Sequence, residues 1–130
     1  MHRFMLSALS LGSLAAALLA GCTQEPAPPQ PVSFQEDVQP ILEANCSECH
    51  SGGGAGAEAS GLDMSSYEGL MEGTRYGPVI EPGDSVSSTL VLLLEGKADP
   101  SIRMPHGKDP LSDEKIAVIR RWIDQGAPNN

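Results

Sequence analysis

The spacing of apolar and polar residues along the chain predicts a helical domain. Near the C-terminal end, four apolar residues recur at helical spacing: Ile116, Ile119, Trp122 and Ile123. Ser112 can cap this helix, and Gly126 can end it. We therefore predict a capped, amphipathic helix that closes the domain.

A second helical pattern begins at Ser33. The Ser33 hydroxyl and the Glu36 carboxylate fit a capping box, in which each side chain satisfies a free amide at the start of a helix. Four apolar residues follow at helical spacing: Phe34, Val38, Ile41 and Leu42. Pro40 interrupts this pattern because it lacks an N–H and crowds the preceding turn. The sequence thus predicts a kink at Pro40 or two short helices.

The middle of the chain predicts two further short helices and two irregular segments. The glycine-rich residues 51–61 are predicted to form a loop, and residues 97–110 are predicted to be irregular. A short helix is expected around 67–71, and the apolar run 90–94 is predicted to be a helix rather than a buried strand. The candidate caps are Ser65 or Ser66 for the first helix, and Asp84, Ser85 or Ser87 for the second.

The length and net charge of the chain limit the number of domains and the classes of partner that it can have. The chain has 130 residues, which favours one small domain. It carries 8 Lys and Arg against 17 Asp and Glu, for a formal charge of −9. Nucleic acid is excluded as a partner because its phosphates require a basic surface. An acidic surface can steer the protein toward a basic partner, and it is equally a route to solubility.

The first 32 residues predict export and attachment to a membrane. A basic start and an apolar run ending at Gly21 are typical of a signal peptide, and several polar residues interrupt the run that a spanning helix would need. The residues Leu19-Ala20-Gly21-Cys22 resemble the lipobox of bacterial lipoproteins, which implies that Cys22 is lipidated. We therefore predict a signal peptide at 1–21, a lipidated cysteine and proline-rich linker at 22–32, and a folded domain at 33–130, facing the periplasm.

The strongest chemical motif is Cys46-Ser47-Glu48-Cys49-His50. Two cysteines separated by two residues, with histidine directly after the second, form the attachment pattern of a c-type haem. Thioether bonds from Cys46 and Cys49 fix the porphyrin, and His50 can then reach the iron. Aromatic residues make up only 4% of the chain, so a porphyrin would supply apolar surface that the sequence lacks.

Three other interpretations of this motif fit its residues less well. A thioredoxin-type redox disulfide needs a strand–helix–strand context, and no such pattern surrounds the motif. A zinc site needs four ligands, and apart from carboxylates only His106 lies elsewhere to contribute. A structural disulfide between Cys46 and Cys49 would close a very small loop and stabilise little. None of the three explains the histidine that follows the second cysteine.

The layout of the chain resembles a class I cytochrome c, and in particular the planctomycete-type cytochrome c domain. The similarity covers about 33–128 and is carried by four segments around the haem motif, at 37–42, 61–67, 79–84 and 111–114. The resemblance implies an all-α domain of three to five short helices around one covalently bound haem c. It also implies that the first and last helices pack together and that histidine and methionine ligate the iron.

Met104 is the predicted sixth ligand. It lies between the apolar helix and the closing helix, and Pro105 would stiffen its loop. A thioether sulfur favours ferrous iron and raises the potential. Met64 and Met71 are rivals, and His106 is close enough in sequence to compete.

These residues predict an electron carrier, and not an enzyme, because six-coordinate iron has no vacancy for a substrate. The expected partners are redox proteins of the membrane or periplasm with a basic docking face. The alternative is a haem-based sensor or peroxidase-like protein, which requires an open or labile sixth position. A haem-free lipoprotein with a redox or metal-binding cysteine pair is the third hypothesis.

Overall fold

A computed structural model describes residues 29–130, and this part of the chain is helical. The six α-helices in this range are α1 Gln39–Asn45, α2 Ser47–His50, α3 Ala55–Ser60, α4 Tyr67–Glu72, α5 Thr89–Leu94 and α6 Asp113–Asp124. A π-helical turn, Phe34–Val38, precedes α1, and a 3₁₀ turn, Pro100–Ile102, lies between α5 and α6. The predicted all-α class is confirmed. The predicted signal peptide, Cys22 and most of the linker lie outside the described residues.

The first helical segment is divided in two at Pro40, as the sequence predicts. The π-helical turn ends at Val38, and Pro40 occupies the first turn of α1. A backbone N–H at that position would have no intrahelical acceptor, so proline costs no hydrogen bond there. The Ser33 hydroxyl accepts a hydrogen bond from the Glu36 N–H at 3.1 Å. The reciprocal bond differs from the predicted capping box, because the Ser33 N–H donates to the Asp37 carboxylate at 2.8 Å. Asp37, one residue beyond Glu36, thus completes the cap.

The closing helix α6 packs against the start of the first helical segment. Its predicted apolar face is confirmed, since Ile116, Ile119, Trp122 and Ile123 are all buried. Trp122 is fully buried, and its ring centroid lies 5.4 Å from that of Phe34 and 6.4 Å from that of Tyr67. Its indole N–H donates to the Pro128 carbonyl at 2.9 Å. Three of the chain's few aromatic rings therefore form one cluster where the first and last helices meet.

Hydrogen bonds join the two ends of the described chain; we call the group formed by Gln125 and Asn130 the terminal clasp. The Gln125 side chain accepts from the Val32 N–H at 2.8 Å and donates to the Gln30 carbonyl at 3.2 Å. The Asn130 side chain accepts from the Phe34 N–H at 2.8 Å and donates to the Val32 carbonyl at 3.3 Å. The clasp satisfies the amides of the buried residues Val32 and Phe34 at the start of the first helical segment, where no intrahelical acceptors exist.

The two short central helices form as predicted, with one change of cap. Helix α4 begins after Ser66, whose hydroxyl accepts from the Gly69 N–H at 3.0 Å, and ends at Gly73. Helix α5 begins after Ser88, and none of its three predicted caps occupies that position. The Ser88 hydroxyl instead donates to the Asp84 carbonyl at 2.8 Å and accepts from the Glu81 N–H at 2.9 Å. Ser88 thus fixes the turn that leads into α5.

The glycine-rich segment after His50 differs from its prediction as a loop. Residues 51–54 form turns, but Ala55–Ser60 is helix α3, which packs against α2. Alternating alanines supply helix propensity, and Gly61, with φ of +84°, ends the helix in the left-handed conformation that glycine tolerates. The predicted irregular segment 97–110 contains only the short 3₁₀ turn.

None of the helices described between residues 29 and 130 is both long enough and apolar enough to span a bilayer.

Candidate haem site

The motif cysteines and histidine lie on a single helical turn. Helix α2 follows directly from α1, with Cys46 at the junction. The His50 N–H donates to the Cys46 carbonyl at 2.9 Å, and the Cys49 N–H donates to the same carbonyl at 3.1 Å. Residues three and four apart on a helix share one face, so both sulfurs and the imidazole are presented toward the same side. This arrangement suits two attachment points and one ligand for a single flat cofactor.

Both cysteines are free thiols of intermediate burial, and Cys46 lies in an apolar environment. Cys46 is partly buried and packs against the hydrophobic core. Burial raises the pKa of the Cys46 thiol to about 11, although the Lys108 charge opposes this shift. Reactive redox cysteines need the opposite change, because the thiolate is the nucleophile. Residues 29–130 also contain no strand beyond one isolated bridge between Thr74 and Gly77, so the thioredoxin-type interpretation lacks its fold.

A zinc site is not supported in the described part of the chain. Between residues 29 and 130, no three His, Cys, Asp or Glu side chains are grouped closely enough to hold a metal. Glu48, the carboxylate inside the motif, forms an ion pair with Lys108, and this hydrogen bond lowers the pKa of Glu48. A structural zinc ion requires four protein ligands.

The imidazole of His50 has the features of a side chain that binds a group from outside the chain. Only 8% of His50 is exposed, and its Nδ1 atom is buried without a hydrogen-bond partner. A buried polar atom without a partner is unfavourable and rare in folded proteins. The thiols and the imidazole on one turn form the donor set of a covalently attached, histidine-ligated haem. The residues present therefore fit that cofactor.

Met104 lies on a segment that the fold brings to the same helical turn. Met104 is partly buried, packs against the core, and its N–H donates to the Leu93 carbonyl at 3.3 Å. Four residues further on, the Lys108 ammonium contacts the Glu48 carboxylate within the motif. The segment is thus anchored to α5 at one point and to α2 at another. The role of Met104 as an iron ligand stays a prediction.

The three alternative candidates for the sixth ligand, Met64, Met71 and His106, lie in different environments. Met64 is buried, and its N–H donates to the His50 carbonyl at 2.6 Å, so its backbone lies directly beside that of His50. Met64 therefore has a place in the core beside the motif, as a packing side chain does. Met71 is partly buried against the core, and His106 is exposed.

Two features of the site were not predicted from the sequence. The Glu48–Lys108 ion pair joins residues 60 positions apart, and no local pattern indicates such a contact. Gly56 lies against the His50 imidazole, because a Cβ atom there would be 2.8 Å from the ring atoms Cε1 and Nε2. The sequence offered a weak signal for the second feature in the glycine-rich segment that follows the motif.

An all-α domain that presents a Cys-x-x-Cys-His turn belongs to the class of cytochrome c-like, haem-binding proteins. Within this class, the model of the family "Planctomycete cytochrome C" matches residues 46–106. The resemblance to the planctomycete-type cytochrome c domain found in the sequence is thus confirmed over residues 46–106. The matched range begins at the first motif cysteine and extends past Met104.

A curated relative is the alpha subunit of hydrazine synthase from Kuenenia stuttgartiensis. The two sequences are 28% identical over 124 aligned residues, which cover 74% of this chain and 15% of the subunit. A solved structure of Kuenenia stuttgartiensis hydrazine synthase is also similar, with 27% identity and a TM-score of 0.49, and the match covers 74% of this chain and 16% of that one. This chain thus spans a small part of the length of the relative.

This relationship corrects one prediction. The sequence was interpreted as that of a protein that is not an enzyme, on the ground that saturated iron leaves no place for a substrate. That conclusion is contradicted, because the relative is a subunit of an enzyme. Iron coordination in one domain does not decide whether the protein containing it takes part in catalysis.

Proposed function

We propose that this chain is a lipid-tethered, single-haem c-type cytochrome that transfers electrons at the bacterial cell envelope. The observation that carries the proposal is the turn formed by Cys46, Cys49 and His50, with free thiols and a buried imidazole beside a family match that starts at Cys46. When bound, haem iron supplies a one-electron couple between its ferrous and ferric states.

Each residue of the proposed site has a separate task. Cys46 and Cys49 would hold the cofactor through thioether bonds, so that it stays attached while the redox state changes. His50 and Met104 would be the two protein ligands of the iron. The Glu48–Lys108 ion pair would hold the Met104 segment close to the motif. A methionine sulfur raises the potential relative to histidine at the same position.

The distribution of charge supports a basic redox partner. Between residues 33 and 74 the chain has no Lys or Arg, and all its acidic residues there are exposed: Glu36, Asp37, Glu43, Glu48, Glu58, Asp63, Glu68 and Glu72. This segment includes the haem motif and helices α1 to α4. An excess of negative charge near the redox centre, offset at Glu48 by the Lys108 ammonium, raises the rate of encounter with a partner of the opposite sign.

The test of electron transfer uses the full-length protein, purified from a host that attaches c-type haem. The protein should exchange electrons with small redox reagents, and a cationic reagent should react faster than an anionic one of equal driving force. Added salt should slow the cationic reaction and accelerate the anionic one, because it screens the negative surface. A haem-free protein, or one that cannot be reduced and reoxidised, would contradict the proposal.

The relationship to hydrazine synthase favours a second candidate, a haem site that itself binds a small molecule. This function requires an open or labile sixth position, as in haem sensors and peroxidases. Carbon monoxide distinguishes the two candidates. A reduced spectrum that is unchanged by carbon monoxide supports the electron carrier, and a spectrum that shifts at once supports the second candidate.

The proposed membrane tether rests on Cys22, which lies outside the described residues. The Cys22→Ser protein should leave the membrane fraction and keep its haem, because the lipidated cysteine would be the anchor and the linker only a spacer. The measurement is the distribution of the protein between membrane and soluble fractions, followed by immunoblot, together with a haem stain of each fraction. Cys46→Ser is the matched control, since it should disrupt haem attachment and leave the protein in the membrane fraction. Membrane retention of Cys22→Ser would show that 1–21 stays attached.

A further inference from the structure

Helix α3 approaches the haem motif unusually closely, and two glycines allow this approach. A Cβ atom on Gly54 would lie 2.6 Å from the Cys49 carbonyl oxygen and 2.9 Å from that of Glu48. A Cβ atom on Gly56 would lie 2.9 Å from the Cys49 oxygen. Side chains at either position would thus overlap the backbone of α2.

Gly56 differs from Gly54 in one respect, because it also faces the proposed iron ligand. A Cβ atom there would lie 2.8 Å from both Cε1 and Nε2 of His50. Cε1 is bonded to both ring nitrogens, and of these Nδ1 is buried without a hydrogen-bond partner. A side chain at position 56 would therefore push against the edge of the imidazole that carries the ligating atom.

We propose that Gly56 is a positioning residue for the His50 imidazole, which it keeps in the orientation required for binding iron. This inference rests on the proposed role of His50 as a ligand. The backbone of α3 lies directly beside the ring, and the absence of a side chain at position 56 leaves the space that the ring occupies. Gly56 acts through His50 and does not itself touch the iron.

Helix propensity alone predicts that Gly56→Ala stabilises the protein, so a decrease in stability would indicate a steric clash. Gly56 lies within α3, where glycine is less favourable than alanine. If Gly56 had no role in packing, Gly56→Ala would raise the thermal midpoint of unfolding. We expect the midpoint to fall, because the methyl group would collide with the ring and with the Cys49 carbonyl.

The decisive measurement is the electron paramagnetic resonance spectrum of the oxidised, haem-loaded protein. Gly56→Ala should shift the principal g-values, which depend on the orientation of the axial imidazole, or should increase the high-spin fraction several-fold. Wild-type g-values in a Gly56→Ala protein with intact haem would overturn the proposal.

Gly54→Ala is the matched control, because it disturbs the same helix contact without facing the imidazole. It should lower the thermal midpoint and leave the g-values as in the wild type. If Gly54→Ala shifts the g-values in the same way as Gly56→Ala, the effect comes from helix packing in general, and the proposal is wrong.

A measurement on the wild-type protein covers the case in which Gly56→Ala cannot be obtained with haem attached. In the reduced, diamagnetic protein, one Hα of Gly56 points in the direction that a Cβ would take. It should give a nuclear Overhauser effect to Hε1 of His50, and the absence of this effect would overturn the proposal. Failure of the proposed function would give a different result from failure of the Gly56 proposal. The wild-type protein itself would then lack a histidine-ligated spectrum.

Discussion

The Met104→Ala protein should bind carbon monoxide when reduced and should lose any thioether-to-iron charge-transfer band when oxidised. Its potential should fall, within the range of roughly 0.8 V over which axial ligands tune haem iron. The physical reason is that an alanine side chain can neither donate to the iron nor fill the position that the sulfur occupied. Visible spectroscopy with and without carbon monoxide, together with a redox titration, measures all three changes.

The surroundings of Met104 explain why this substitution should change the site without unfolding the domain. Met104 is only partly buried, and the hydrogen bond from its N–H to the Leu93 carbonyl uses backbone atoms that alanine retains. The Lys108–Glu48 ion pair, which anchors the same segment to α2, does not involve Met104. The segment should therefore keep its place after the substitution.

Met64→Ala and His106→Ala are the controls. Met64 is buried, so its truncation should cost about 2–5 kcal/mol of stability and leave the sixth ligand unchanged. Since His106 is exposed, its loss should leave the spectrum unchanged. If Met104→Ala keeps a six-coordinate spectrum while His106→Ala loses it, two histidines bind the iron. A carrier of lower potential would then be the better interpretation.

Trp122→Ala should lower the free energy of unfolding by roughly 3–5 kcal/mol, the range observed when a large core side chain is truncated. Trp122 is fully buried against the rings of Phe34 and Tyr67, and its N–H is bonded to the Pro128 carbonyl. The substitution would leave a cavity and also remove the donor from that carbonyl. Denaturant unfolding of the haem-loaded protein, followed by circular dichroism, gives the change directly.

Tyr76→Ala provides the matched control, because 86% of Tyr76 is exposed. Removing this ring should change the free energy of unfolding by no more than about 0.5 kcal/mol, as for most surface substitutions. A Trp122→Ala midpoint equal to that of Tyr76→Ala would contradict the packing of α6 against the first helical segment.

Local patterns in the sequence were sufficient to predict most of the helices. The apolar spacing of α6 predicted its buried face, because a surface helix must bury one stripe of side chains. Of the two candidate caps predicted for α4, Ser66 is the one that the structure uses, and it acts through a hydrogen bond to an amide only three residues away. The motif from Cys46 to His50 identified the site for the same reason, because its chemistry lies within five consecutive residues.

Features that depend on contacts between distant residues were not predicted. Helix α3 was interpreted as a loop because glycine lowers helix propensity, and its packing against α2 outweighs that preference. The Glu48–Lys108 ion pair joins segments 60 residues apart, and the terminal clasp joins residues more than 90 apart. The interpretation as a non-enzyme failed for a different reason. It extended an argument about iron coordination to the function of a whole protein.

The terminal clasp gives the domain a geometry that suits insertion into other chains. The Asn130 side chain lies within 3.3 Å of the Val32 carbonyl, so the chain leaves the domain close to where it enters. A domain whose ends meet can be spliced into a surface loop of a host protein without separating the two sides of that loop. The first helical segment, 34–45, separates Cys46 from this junction. A host fused at the junction would therefore leave the haem-bearing end accessible.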